Sequence, residues 1–129
     1  MRKTWAVILL LVTTCLATAS AKVGVSGSWI GEISGQDGGK GSIRFVLKQA
    51  GGQVLGTAGP SDKQKPPQIY DGILQGNHLS FAADDIDEDG LKLIYHFDLT
   101  VAEDRIVGKA QGRSGDRWWT LDVSMTRDK

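Results

Sequence analysis

Hydrophobic and polar residues alternate with a period of two along most of this chain, and a 3.6-residue helical period is almost absent. The clearest run is 91–101, where Leu91, Leu93, Tyr95, Phe97, Leu99 and Val101 share one face. Lys92, Ile94, His96, Asp98 and Thr100 share the other. One packed face and one wet face is the mark of an antiparallel sheet. The same parity turns Ile43, Phe45 and Leu47 inward, then Leu79, Phe81 and Ala83, then Trp119, Leu121, Val123 and Met125. The pattern predicts strands near 28–34, 41–49, 53–58, 68–76, 77–83, 91–101, 105–112 and 117–127.

Breaks between these strands carry residues that accept positive φ or bond their own backbone. They are Gly38-Gly39, Gly51-Gly52, Gly76-Asn77, Asp89-Gly90, Glu103-Asp104 and Ser114-Gly115. The stretch 62–67 (DKQKPP) is the one longer gap, and its prolines forbid a central strand. Eight short sequential strands make an up-and-down meander. An open sheet would leave two wet edges, so the expected fold is an all-β, eight-stranded antiparallel barrel in a single domain.

That domain follows a different kind of segment. Arg2 and Lys3 precede an unbroken apolar run at 5–12 (WAVILLLV), and Ala19-Ser20-Ala21 closes it. A positive start, a short apolar run and an A-x-A exit predict a cleaved export signal over 1–21 and a barrel domain over 22–129. Ala17-Thr18-Ala19 offers the alternative cut. A lipid anchor on Cys15 would need Gly, Ala or Ser just before it, where Thr14 stands. Ordinary cleavage removes the only cysteine, so the exported chain has no disulfide and no thiolate chemistry. Periplasmic and extracellular destinations both stay open.

Cleavage leaves 108 residues with 15 acidic and 13 basic groups, a net charge of −2. The cations are scattered singly between acids, with no stripe for phosphates to follow, which argues against nucleic acid as a partner. No second apolar stretch is long enough to span a bilayer. A monomer is the expectation.

The domain ends carry a resemblance. Gly27-Ser28-Trp29-Ile30-Gly31 is a G-x-W in the first strand, and Arg127 stands at inward parity where the last strand ends. This resembles the calycin barrels, which include lipocalins, fatty-acid-binding proteins and avidins. The resemblance implies that Trp29 closes the barrel floor with Arg127 packed across its ring. The phrases GSWIGEI, GGQVLGTAG and DGILQGNHLSF are similar to small secreted lipocalin-like domains of environmental bacteria. The polar residues that follow the first-strand Trp in avidins are missing, so biotin is not implied. The chain is also shorter than most lipocalins, which implies a shallower barrel. Barrels of this kind host unrelated roles, so the likeness speaks to fold.

Candidate chemistry is sparse. Asp85, Asp87, Asp89 and Gly90 spell D-x-D-x-D-G, the opening half of a calcium loop. His96 stands at the twelfth position, where an EF-hand carries its bidentate Glu, so any calcium bound here would be held weakly. The competing reading is a solvated acidic hairpin tip. His78 and His96 face each other if that hairpin is centred on Asp87, close enough to share a transition metal. A shift of two opposes His96 to Ser80 or Gly76 instead, and solvated histidines are the plainer alternative.

Asp71, in Ile69-Tyr70-Asp71-Gly72-Ile73, is a carboxylate on an inward-leaning position beside a glycine that invites a bulge. A polar group inside the barrel orients a ligand or acts as a base; a satisfied structural Asp is the competing reading. Trp119 belongs to the core and Trp118 to the outer surface. No G-x-S-x-G, H-E-x-x-H or phosphate-cradling glycine loop is present, so no enzyme is expected.

Two functions compete on this footing. The first is a small-molecule binder holding an apolar or amphipathic ligand inside the barrel among Trp29, Phe45, Asp71, Tyr95 and Trp119. Small residues at inward positions, Gly31, Gly56, Gly108 and Ala110, support it by leaving room. The second is an accessory or protein-interaction domain whose core is filled by its own side chains.

Overall fold

A computed structural model describes residues 24–62, 64–87 and 89–128. The expected export segment and Cys15 lie outside the described residues. The described chain forms eight strands: β1 Gly27–Gly35, β2 Lys40–Ala50, β3 Gln53–Pro60, β4 Ile69–Gln75, β5 His78–Ile86, β6 Lys92–Ala102, β7 Arg105–Ser114 and β8 Arg117–Arg127. Each pairs antiparallel with the next, and β8 returns to β1, so the sheet closes into a barrel. The architecture is compatible with a calycin-like fold. Closure leaves the sheet without two open edges, and its thinnest seam is β3–β4, where Gln53 pairs with Ile73 and Thr57 makes an isolated bridge to Gln68. Among the described residues no helix is long and apolar enough to cross a membrane.

Connections differ at the two ends. At one end the β2–β3, β4–β5 and β6–β7 hairpins turn through two residues each, at 51–52, 76–77 and 103–104. At the other, 36–39, 61–68 and 87–91 form longer loops, with 115–116 the only short turn. The tight end is the floor and the loop end is the mouth. Trp29 lies fully buried at the floor, where its indole Nε1 donates to the Val25 carbonyl at 2.9 Å.

Above Trp29 three rings seal the middle of the barrel. Phe45 meets Phe81 edge-on at 5.2 Å and Phe97 edge-on at 5.5 Å, while Phe81 and Phe97 stack at 4.7 Å. These side chains come from β2, β5 and β6, and each pair contributes about 0.5–1.5 kcal/mol beyond its burial. Leu79, Leu99, Ile106 and Met125 fill the space around them. Among the described residues no polar or charged residue is fully buried, so the core is apolar.

Two expectations about the strands need correcting. The β5–β6 hairpin is centred on Asp89, so His78 faces Thr100 and His96 faces Ala82. The histidines do not meet; His78 pairs with Asp98 instead. The cause is Asp87, which stands before the turn rather than at its centre. Its Oδ1 accepts the amides of Asp89 and Leu91 at 2.9 Å each, and its own amide donates to the Leu91 carbonyl. β5 therefore runs on through Asp84 and Asp85 to Ile86. Leu91 falls outside β6 and is exposed rather than inward.

Candidate functional site

Open space lies at the mouth of the barrel. A cup of about 90 Å³ sits above the phenylalanine cluster, and Phe97 forms part of its base. Ile33 of β1, Ile43 of β2, Ala58 of β3, Ala83 of β5, Tyr95 of β6 and Leu121 of β8 supply its apolar wall. These are inward-parity residues at the mouth ends of their strands. Pro60 and Pro67 bound the side where the 61–68 loop replaces a strand. The Ala58 amide donates to the Pro67 carbonyl at 3.0 Å, which holds that loop against the wall.

Among the described residues, the Tyr95 phenol is the polar group on the wall, and the other polar side chains stand on the rim. Ser42, Asp84 and Asp85 line the edge of the cup. Asp84 is engaged twice: the Tyr70 hydroxyl donates to its Oδ1 at 2.7 Å, and Lys92 Nζ lies 3.2 Å from its Oδ2. The Tyr70 bond, with Lys92 behind it, holds the Asp84 carboxyl below the usual aspartate range. Burial pushes the Tyr95 phenol up, and the nearby Asp85 charge adds to the effect. The cup is thus lined by a neutral phenol and bordered by carboxylates.

Two wider grooves flank the cup. One, of about 600 Å³, shares Ile33 and Leu121 with it and runs between the β1–β2 turn and the start of β8. Trp119 lines this groove, packed edge-on to Tyr95 at 6.1 Å. The other, of about 570 Å³, shares Pro67, Asp84 and Asp85 with the cup.

The residues expected to surround a ligand are divided by this geometry. Tyr95 lines the cup and Trp119 lines the groove beside it. Trp29 and Phe45 have no exposed surface and lie in the sealed lower barrel. Asp71 lies outside. It stands in a bulge of β4, where three steps from Tyr70 to Ile73 are matched by two on β5, and its φ is 55°. The bulge turns its side chain to solvent.

Nor do the small inward residues make room in the lower barrel. A Cβ at Gly31, Gly56 or Gly108 would lie 2.0, 1.9 or 2.3 Å from a carbonyl oxygen of the neighbouring strand. These glycines let strands bend and approach closely, as barrel closure requires. Ala110 is buried in the core. Gly112 has a different neighbour, since a Cβ there would lie 2.4 Å from the Trp119 ring. The indole covers that glycine and is carried toward the groove.

In the acidic loop, the described carboxylates are engaged by the turn itself. Asp85 Oδ1 accepts the Ile86 amide, and Asp87 Oδ1 caps its own turn. Among the described residues no three His, Cys, Asp or Glu side chains come together in a metal-holding group. Trp118 is exposed on the outer face, with the Arg113 guanidinium 5.2 Å from its ring.

Sequence reasoning missed the Pro60–Pro67 side of the cup and the role of Asp84. The available signal was the proline pair itself, which marks where a loop, not a strand, borders the mouth. Comparison of the chain with protein-family models, curated proteins and solved structures finds no match.

Proposed function

We propose that this chain is an exported, non-enzymatic binding barrel of the lipocalin-like type, which holds the short apolar end of a small amphipathic molecule in its mouth. The observation that carries the reading is the apolar cup, closed below by Phe97 and bordered above by Ser42, Asp84 and Asp85. An apolar end enters while a polar head stays at the wet rim. Export is supported by the 1–21 pattern, with the periplasm or the exterior as destination.

Size restricts the ligand. The cup's 90 Å³ is smaller than the ~150 Å³ that admits benzene in an engineered core. A short or branched alkyl end fits; a long acyl chain or a fused ring system does not. Burying about three methylenes there contributes roughly 2–3 kcal/mol. That alone gives binding weaker than about 1 mM, so contacts beyond the cup set the affinity.

The test is an amide NMR titration with a short apolar alcohol, 4-methylpentan-1-ol. Shifts should concentrate at Ala58, Ala83 and Phe97 and vanish in Leu121→Trp, which blocks the entrance. Shifts elsewhere, or none up to the solubility limit, overturn the reading. A second reading, a filled barrel that docks a protein on its outer wall, draws on exposed Val46, Leu55 and Ile73 on β2, β3 and β4. A protein partner captured by that wall, with an empty cup, would favour it.

A further inference from the structure

The grooves on either side of the cup differ in charge. Among the described residues on the Asp84 side, Asp84 and Asp85 are matched by Lys65 and Lys92. Asp84 is already bonded to Tyr70 and paired with Lys92. On the Trp119 side the charged lining groups are Asp37, Lys40 and Arg117. Asp37 is occupied by its own turn, where its Oδ1 accepts the Gly39 amide at 3.0 Å. Lys40 and Arg117 make no ion pair among the described residues. The described residues that line the groove past Ile33 and Leu121 therefore carry one excess positive charge.

This asymmetry orients a ligand. A head group on a chain seated in the cup must leave past either the Asp84–Asp85 rim or the Ile33–Leu121 rim. The charges at the first rim balance, whereas the cations of the groove beyond the second attract an anion. Arg117 adds a planar fork that can hold a carboxylate by two parallel bonds, with Lys40 as a second point charge.

We propose that the cup and this groove form one site for a small monocarboxylate with a short branched apolar tail. The tail occupies the cup and the carboxylate lies against Arg117 and Lys40. The proposal rests on the cup reading above and adds to it the charge of the head group.

Three probes with one tail test it: 4-methylpentanoate, 4-methylpentan-1-ol and 4-methylpentan-1-amine, titrated into the purified protein by amide NMR at low salt. The acid should bind about three- to tenfold tighter than the alcohol, as two solvent-exposed ion pairs allow, and the amine should bind no tighter than the alcohol. Raising the salt should weaken the acid alone. Arg117→Gln with Lys40→Gln should bring the acid to the alcohol's affinity and leave the alcohol unchanged. Both residues are exposed, so the variant keeps the wild-type amide spectrum outside the groove.

Equal binding of acid and alcohol, indifferent to the double substitution, would overturn the carboxylate assignment while leaving the cup intact. Tighter binding of the amine would reverse the assignment. Absence of cup shifts with all three probes would remove both readings together.

Discussion

The guanidinium of Arg127 lies 4.3 Å from the centre of the Trp29 ring, and the two residues face each other across the β1–β8 seam. The same guanidinium donates to the carbonyls of Gly24 and Ser26 and to Asp104 Oδ1. One side chain thus ties together the chain entry, the floor tryptophan and the β6–β7 turn at the point of closure. Trp29→Ala should cost about 3–5 kcal/mol, the usual range for a buried indole. Arg127→Ala should cost less, roughly 1–2 kcal/mol, because the stacking contact and exposed bonds are individually modest. Urea titrations measure both. A Trp29→Ala protein that melts within a degree or two of wild type would contradict the floor assignment.

The bend glycines make a sharper comparison. A Cβ on Gly108 would lie 2.3 Å from the Asp98 carbonyl oxygen, inside the β6–β7 ladder. Gly115, at φ +60° in the β7–β8 turn, has nothing within 4 Å of that position. Gly108→Ala must push two paired strands apart and should cost about 3 kcal/mol. Gly115→Ala bears only the left-handed backbone penalty, about 1 kcal/mol. Equal losses in chemical denaturation would mean that backbone dihedrals, not strand approach, govern these positions.

Both tyrosines should titrate above the ordinary phenol value of 10.0, for different reasons. The bond to Asp84 raises Tyr70, whereas burial raises Tyr95. Absorbance at alkaline pH should show Asp84→Asn lowering Tyr70 and leaving Tyr95 in place. Asp84 itself is held below its usual 3.8. A depressed carboxyl contributes stability that is present above the unfolded value and lost as pH falls through the folded one. The stability gap between wild type and Asp84→Asn should therefore shrink below about pH 4. A gap that widens on acidification would reverse the assignment.

Period-two alternation made the barrel legible because each face answers to one environment. Phe45, Phe81 and Phe97 read as inward by parity alone, and all three are buried. Parity says nothing about height in the barrel. It did not separate Phe45, sealed in the middle, from Tyr95, at the mouth, and so the cup could not be located. Side-chain volume misled in the same way. Gly31, Gly56 and Gly108 read as space for a ligand, but a neighbouring strand's backbone occupies that space. The β5–β6 register failed for a local reason: Asp87 can be either the centre of a turn or the acceptor that starts one. Only the hydrogen bonds to Asp89 and Leu91 decide between them.

That acceptor yields the last prediction. Asp87 Oδ1 holds two backbone amides of the 87–91 loop, a side-chain cap of the kind that opens helices and turns. Asp87→Asn preserves an oxygen at the same place and should leave stability nearly unchanged, while reducing the repulsion among Asp84, Asp85, Asp87 and Asp89. Asp87→Ala removes the acceptor and should cost about 0.5–2 kcal/mol, as the loss of a cap does. The same oxygen is what a calcium ion would need, and drawing it away would release both amides. Thermal melts of wild type in millimolar Ca²⁺ and in chelator should therefore coincide. A higher melting temperature in Ca²⁺ that Asp87→Asn abolishes would show that the loop exchanges its turn bonds for an ion. An Asp87→Ala protein as stable as Asp87→Asn would show that the cap does not hold the hairpin tip.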